Sequence, residues 1–332
     1  MRFGIGLPGA NPMSNSRWDT PTVVKAMIEV AKKADDLGFD FVGAQDHPVI
    51  PKASTKMIGP RWFDAVSTLG FLAGATKRIR LLTSVIVVPY RNPFTMANSI
   101  ATLDRLSKGR VIFGVGIGHL RSEFDTLGVP YEERAARTDE YLKIMRGLWT
   151  EEALTFDGQF FSCRDMMLEP KPVQQPLPIW VGGNGKPAIR RAAALGQAWH
   201  PFQVTRDDLP GLVQHAQELA AKAGRGPLDI SVSMKPIARD PQAIRQRSAE
   251  EVQRRVEQIA GASDYYRKIA AKNLDSSAIT ETNDVHAEIE GLKDAGATCL
   301  QVGFRYRELP ELLDSMEWFA QEIMPGHRDA AS

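Results

Sequence analysis

The chain has 332 residues, 43% of them hydrophobic and 24% charged, an ordinary globular composition. Its 41 basic and 40 acidic side chains are interspersed and nearly cancel at a formal +1, which gives nucleic acid or an anionic membrane no electrostatic handle. The two cysteines, Cys163 and Cys299, lie far apart without metal-ligand spacing, so a disulfide-stapled secreted protein is disfavoured and a cytoplasmic location is expected. The first seven residues lack the long apolar run of a signal peptide, and the strongest apolar run, 81–88, is too short to span a membrane.

Short β-branched apolar runs alternate with longer amphipathic stretches. Residues 3–7 read as a strand. Residues 21–37 read as a helix, with Thr20 as N-cap, Pro21 in the first turn and Gly38 as stop. A strand over 39–44, a helix over 62–76 and a strand over 79–88 follow. Next come a helix over 93–107 closed by Lys108-Gly109, a strand over 111–115 and a long helix over 131–149. Later strands are expected at 179–182, 198–201, 230–237 and 299–304, with helices near 186–195, 207–222, 283–294 and 309–322. Eight apolar strands, each followed by a helix, imply a parallel sheet covered by helices and closed into a single α/β domain, a (β/α)8 TIM barrel over 1–332.

Two segments exceed the repeat, 151–178 and 238–278. The first carries a hairpin signal, Leu154 to Phe161 with Asp157-Gly158 at the turn. The second is polar and helix-prone, with Tyr265-Tyr266 inside it. Long excursions in a barrel build the substrate pocket or an oligomer contact, or are plain decoration.

Barrel chemistry sits just past the C-terminal ends of the strands, and four places qualify. Gln45-Asp46-His47-Pro48 sets a histidine beside an acid, the pieces for acid/base work, although a loop-capping histidine fits the spacing equally. Thr83-Ser84-Val85-Ile86 puts small hydroxyls in an apolar strand, which suggests a bulge or a close approach to something flat; hydroxyls bonded to the next strand are the commoner reason. Gly114-Val115-Gly116-Ile117-Gly118-His119 looks like a dinucleotide glycine motif, but Leu120 stands where the third glycine belongs, so a Rossmann reading is rejected. Bare backbone at Gly116 and Gly118 still lets a cofactor lie close, with His119 pointing into the barrel mouth. Trp180-Val181-Gly182-Gly183-Asn184-Gly185-Lys186 runs strand, glycines, helix, which favours an anion site of bare N–H groups over a plain tight turn, with Lys186, Arg190 and Arg191 either adding charge or forming a solvated helix face. No metal-site pattern and no Gly-x-Ser-x-Gly elbow occurs.

Taken in order, these stretches resemble the bacterial luciferase-like flavin and deazaflavin oxidoreductases, most closely the branch that uses coenzyme F420, a deazaflavin. Further matching stretches are 82–93, 103–110, 169–174 and 179–184. The resemblance implies a flavin-like ring in the barrel mouth and a homodimer. By the same carry-over, Asp46 and His47 flank the ring, with His47 as proton donor or acceptor. Ser84 and Val85 form a bulge behind it, with a non-prolyl cis peptide between them, and Thr83 is a further cofactor-binding residue. Gly182, Gly183, Asn184 and Gly185 hold the phosphate. In some deazaflavin members a glutamate follows the glycine strand as general acid; His119 occupies that place here, and is carried as a catalytic candidate.

The expected activity is hydride transfer between the deazaflavin and a small organic substrate, with an F420 reductase among the partners. The alternative within the fold is an FMNH2-dependent monooxygenase fed by a flavin reductase, and outside it a barrel that binds the ligand without turnover. Trp199 and His200 are expected to line the mouth.

Overall fold

The computed structural model describes residues 1–8, 18–55, 59–202, 204–239 and 278–328. The chain opens with β1 (Arg2–Gly6), then α1 (Thr20–Leu37) and β2 (Phe41–Ala44). Asp19, not Thr20, caps α1: its carboxylate accepts from Thr22 N–H at 2.9 Å, so the helix takes in Thr20. Gly38 ends it in the left-handed region at φ 79°. The next helix, α2 (Ala65–Ala75), begins three residues later than expected because Asp64 accepts from Ser67 N–H and sets the start.

The expected third strand is interrupted. It comprises β3 (Arg80–Thr83) and β4 (Ile86–Val87), separated by a cis peptide between Ser84 and Val85. Helix α3 (Pro93–Leu106), capped by Asn92, leads to β5 (Val111–Gly116). A short helix, α4 (Arg121–Leu127), follows β5, and then comes α5 (Arg134–Thr150), whose first turn is preceded by a 3-10 turn at Tyr131–Glu133.

The first excursion holds the expected hairpin, β6 (Leu154–Asp157) against β7 (Ser162–Met166). Its turn is longer than the sequence suggests, since Phe160 and Phe161 lie in the turn. Glu140 of α5 accepts the N–H groups of Gln159, Phe160 and Phe161 at 2.7 to 3.0 Å and holds them there. Of the second excursion, residues 240–277, with Tyr265 and Tyr266, lie outside the described residues.

The repeat resumes with β8 (Ile179–Gly182), α6 (Lys186–Leu195), β9 (Ala198–His200), α7 (Leu209–Lys222) and β10 (Asp229–Ser233). It ends with α8 (Thr282–Asp294), β11 (Cys299–Val302) and α9 (Leu309–Trp318). All barrel pairings are parallel. β11 pairs with β1 through Arg2↔Cys299, and β3 and β4 both pair with β5, so the sheet closes on itself. With β3 and β4 counted as one stave, the barrel has eight, one for each expected strand.

Because helices cover the outside and side chains fill the inside, both strand faces are apolar. Phe41, Leu82, Ile112, Trp180, Ala198 and Cys299 form a layer inside the barrel, while Phe3, Val42, Leu81, Phe113, Val181 and Trp199 belong to the larger core under the helices. Among the described residues no helix is long and apolar enough to cross a membrane.

Candidate active site

Four chain segments meet at the C-terminal mouth. Asp46 follows β2 and is buried. Its carboxylate accepts two bonds from the Arg91 guanidinium, both 2.6 Å, and one from Val87 N–H at 3.1 Å. A forked pair of this geometry is strong and directional, so Asp46 is fully engaged in joining the β2 end to the β4 end.

His47 has a different acidic partner. Its Nδ1 lies 2.8 Å from Oε1 of Glu123, in the first turn of α4, and the other oxygen of Glu123 accepts from the Tyr90 hydroxyl at 2.7 Å. The Glu123 side chain is 1% exposed and that of His47 14%. The imidazole rests edge-on against Trp62 at 4.4 Å, and the His119 ring is 6.2 Å away. Burial pushes the His119 pKa down to about 4, with nearby His47 adding to the fall and Glu123 opposing it. His119 is therefore a neutral imidazole at physiological pH.

Val85 is set between two strand ends that carry no side chain. A Cβ on Gly116 would lie 2.7 Å from Val85 Cγ2, and one on Gly182 would lie 3.1 Å from Val85 Cγ1. Thr83 points its hydroxyl the other way, to Gly114 O at 2.8 Å. The Ser84 hydroxyl is 3.0 Å from Nε2 of His200 inside the barrel, and Nδ1 of His200 is 2.9 Å from Ser231 Oγ. Burial holds the His200 pKa down to about 4, so this histidine is also neutral.

The glycine turn after β8 stands at the start of α6. Gly183 has φ 121°, and Gly185 and Lys186 are exposed. Asn184 accepts from Phe202 N–H at 2.9 Å, and the Trp199 indole donates to Gly183 O at 2.8 Å, so β9 and the segment just after it brace the turn. Gly118, at φ 76°, turns the chain from β5 toward His119.

Two expectations change here. Trp199 does not line the mouth: strand alternation sends it outward into the helix-covered core, and only His200 faces inward. Arg191 adds no charge to the glycine turn, because it is buried and bonded to Asp139 and to Ala135 O. The sequence reading also passed over Glu123, Tyr90 and Arg91. Tyr90 and Arg91 stand in one of the matching stretches, and that was their only signal. Glu123 lies 76 residues from its partner His47, with no local pattern to mark it.

A narrow cleft between the ends of β1 and β2 and the helices α1 and α2 is lined by Leu7, Met27, Ala44, Arg61, Trp62, Phe63 and Thr68, and His47 is not part of its wall. Among the described residues no three His, Cys, Asp or Glu side chains are grouped to hold a metal ion.

An uncharacterised protein of Mycobacterium tuberculosis is 38% identical over 181 residues, 53% of this chain and 64% of that protein, so the match spans less than two thirds of the relative. The F420-dependent glucose-6-phosphate dehydrogenase of Amycolatopsis mediterranei is 31% identical over 59% of this chain and 60% of its own length. The FMNH2-dependent dimethylsulfone monooxygenase of Pseudomonas putida is 29% identical, over 53% of this chain and 49% of its own. In three dimensions the fold is shared with the monooxygenase RslO1 of Streptomyces bottropensis, at a TM-score of 0.84 over 99% of this chain and 100% of that one, with 24% identity. The luciferase-like monooxygenase family matches residues 1–299, and the chain belongs to that family of oxidoreductases.

Proposed function

We propose that the protein transfers a hydride between coenzyme F420 and a small organic substrate at the barrel mouth. The observation that carries this reading is the His47–Glu123 contact: a histidine with a buried carboxylate behind it, at the C-terminal end of β2. Such a pair can take or give the proton that accompanies hydride transfer.

The residues fit a bound deazaflavin. Val85, in the side-chain-free gap at Gly116 and Gly182, offers an apolar shelf for a planar ring. The turn Gly182-Gly183-Asn184-Gly185 supports phosphate binding through backbone N–H groups at the start of α6, where the helix dipole favours an anion. When bound, the deazaflavin supplies or accepts the hydride. His47 exchanges the proton, Asp46 and Arg91 hold the loop that presents it, and His119 lines the site in its neutral form. The likeness to the Amycolatopsis dehydrogenase supports the cofactor.

The likeness to the Pseudomonas monooxygenase favours a second reading, FMNH2-dependent oxygenation with a flavin reductase as supplier. Parallel fluorescence titrations with F420 and with FMN test the choice. Saturable binding of F420, together with turnover of that cofactor, is the expected result. Binding of FMN alone, with oxygen uptake when a flavin reductase is added, would overturn the F420 reading.

A further inference from the structure

The mouth holds two buried carboxylates in opposite circumstances. Asp46 is neutralised by the forked guanidinium of Arg91. Glu123, 1% exposed, has no arginine or lysine: among the described residues its ionic partner is His47. Each of its oxygens receives one bond, from the Tyr90 hydroxyl at 2.7 Å and from His47 Nδ1 at 2.8 Å. An ionised carboxylate only accepts, so a neutral His47 that bonds to it must carry its hydrogen on Nδ1. Nε2 is then the bare nitrogen, and among the described residues no hydrogen bond occupies it. Trp62 packs edge-on to the ring at 4.4 Å, so the imidazole is gripped by a carboxylate and an aromatic face.

We infer that Glu123, itself held by Tyr90, is the positioning residue that fixes His47 as the Nδ1–H tautomer, so that Nε2 is the ring atom through which the reaction's proton passes. The inference rests on the proposed function and assigns the proton route within it. With a bound cofactor that would take the hydride, Nε2 would receive the substrate's proton. In the reverse direction Nε2–H returns it. The substrate's hydrogens leave as one hydride and one proton, and Glu123 is the acceptor of neither. This use of an acid to set a histidine's tautomer, without accepting the proton itself, is the role that a buried aspartate plays in serine-protease triads.

The test begins without cofactor. In protein labelled with 15N-histidine, two-bond proton–nitrogen correlation spectra identify which ring nitrogen of His47 is protonated, with His47→Gln supplying the assignment. The parent should show the Nδ1–H tautomer. Glu123→Gln keeps the shape but can donate as well as accept, so it should give a mixture of tautomers or the Nε2–H form. Tyr90→Phe keeps the carboxylate and should retain Nδ1–H. In turnover with F420, or with FMN if that is the active cofactor, Glu123→Gln should lower kcat at least about tenfold, within the usual span of acid–base contributions. Cofactor affinity should stay within about threefold, because the Glu123 side chain is 1% exposed and its two oxygens are bonded to His47 and Tyr90. Tyr90→Phe should cost less than Glu123→Gln.

An Nε2–H tautomer in the parent overturns the inference. So does a Glu123→Gln variant that keeps a pure Nδ1–H ring, or one whose tautomer changes while kcat does not. If neither cofactor supports turnover in the parent, the functional reading fails, and the tautomer measurements still decide whether Glu123 sets the ring.

Discussion

Gly183→Ala is the sharpest probe of the glycine turn. At φ 121° an L side chain is strained whatever the space, at a cost of roughly 1–3 kcal/mol. The added Cβ would also lie 2.9 Å from Ala188 Cβ in the first turn of α6, so either the turn or the helix start must move. A phosphate held by backbone N–H groups is intolerant of such movement. Each charge-assisted bond is worth about 1.5–3 kcal/mol, so loss of one raises the Kd by about 10- to 150-fold. Gly183→Val, bulkier at Cβ, should weaken binding further. Gly185→Ala is the matched control: its φ is −107°, and its Cβ would meet only Pro187 Cδ at 3.5 Å, an ordinary contact. Fluorescence titration of both cofactors against all three variants, with thermal melts alongside, gives the comparison. Unchanged affinity in Gly183→Val, in a protein that melts as a folded chain, would refute the phosphate assignment.

His47→Ala should lower the rate of the redox step by about 10²–10⁴-fold with little change in cofactor affinity; full turnover across pH 5 to 9 would make His47 a structural residue. Arg91→Ala leaves the Asp46 carboxylate buried without its cation, so the folded state should lose about 3–5 kcal/mol in urea unfolding; a loss under about 1 kcal/mol would show that water replaces the guanidinium. His119 and His200 are held near pKa about 4, below the 6.5 of a free imidazole, so the unfolded chain binds more protons between those values. Their contribution to stability is complete above pH 6.5 and drains away toward pH 4, by about 2 kcal/mol per histidine between pH 7 and pH 5. His200→Asn should flatten that slope relative to the parent, and an identical pH slope would count against the buried neutral histidine.

Much of the barrel was legible in the sequence because its signals are local. Eight apolar runs in βα alternation are enough for a parallel sheet buried on both faces, and each run became a stave of the barrel. Lys108-Gly109 after α3 and Gly38 after α1 also ended their helices where their backbone preferences predict, whereas the hairpin expected at Asp157-Gly158 turns through Phe161 instead. The motif places Asp46-His47, Ser84-Val85, His119 and Gly182 to Gly185 were visible for the same reason, as polar or glycine residues beside an apolar strand.

What each of these residues touches was decided only by tertiary structure. Asp46 meets Arg91 45 positions away, His47 meets Glu123 76 away, and Ser84 meets His200 116 away. Closure of the barrel brings the ends of β2, β4, β5 and β9 to one rim, and nothing local to any strand records its neighbours across that rim. Trp199 and His200 show the same division within one dipeptide. Both follow from an apolar strand signal, but which of them faces the mouth depends on the pleat, and the pleat is set by pairing with β8 and β10.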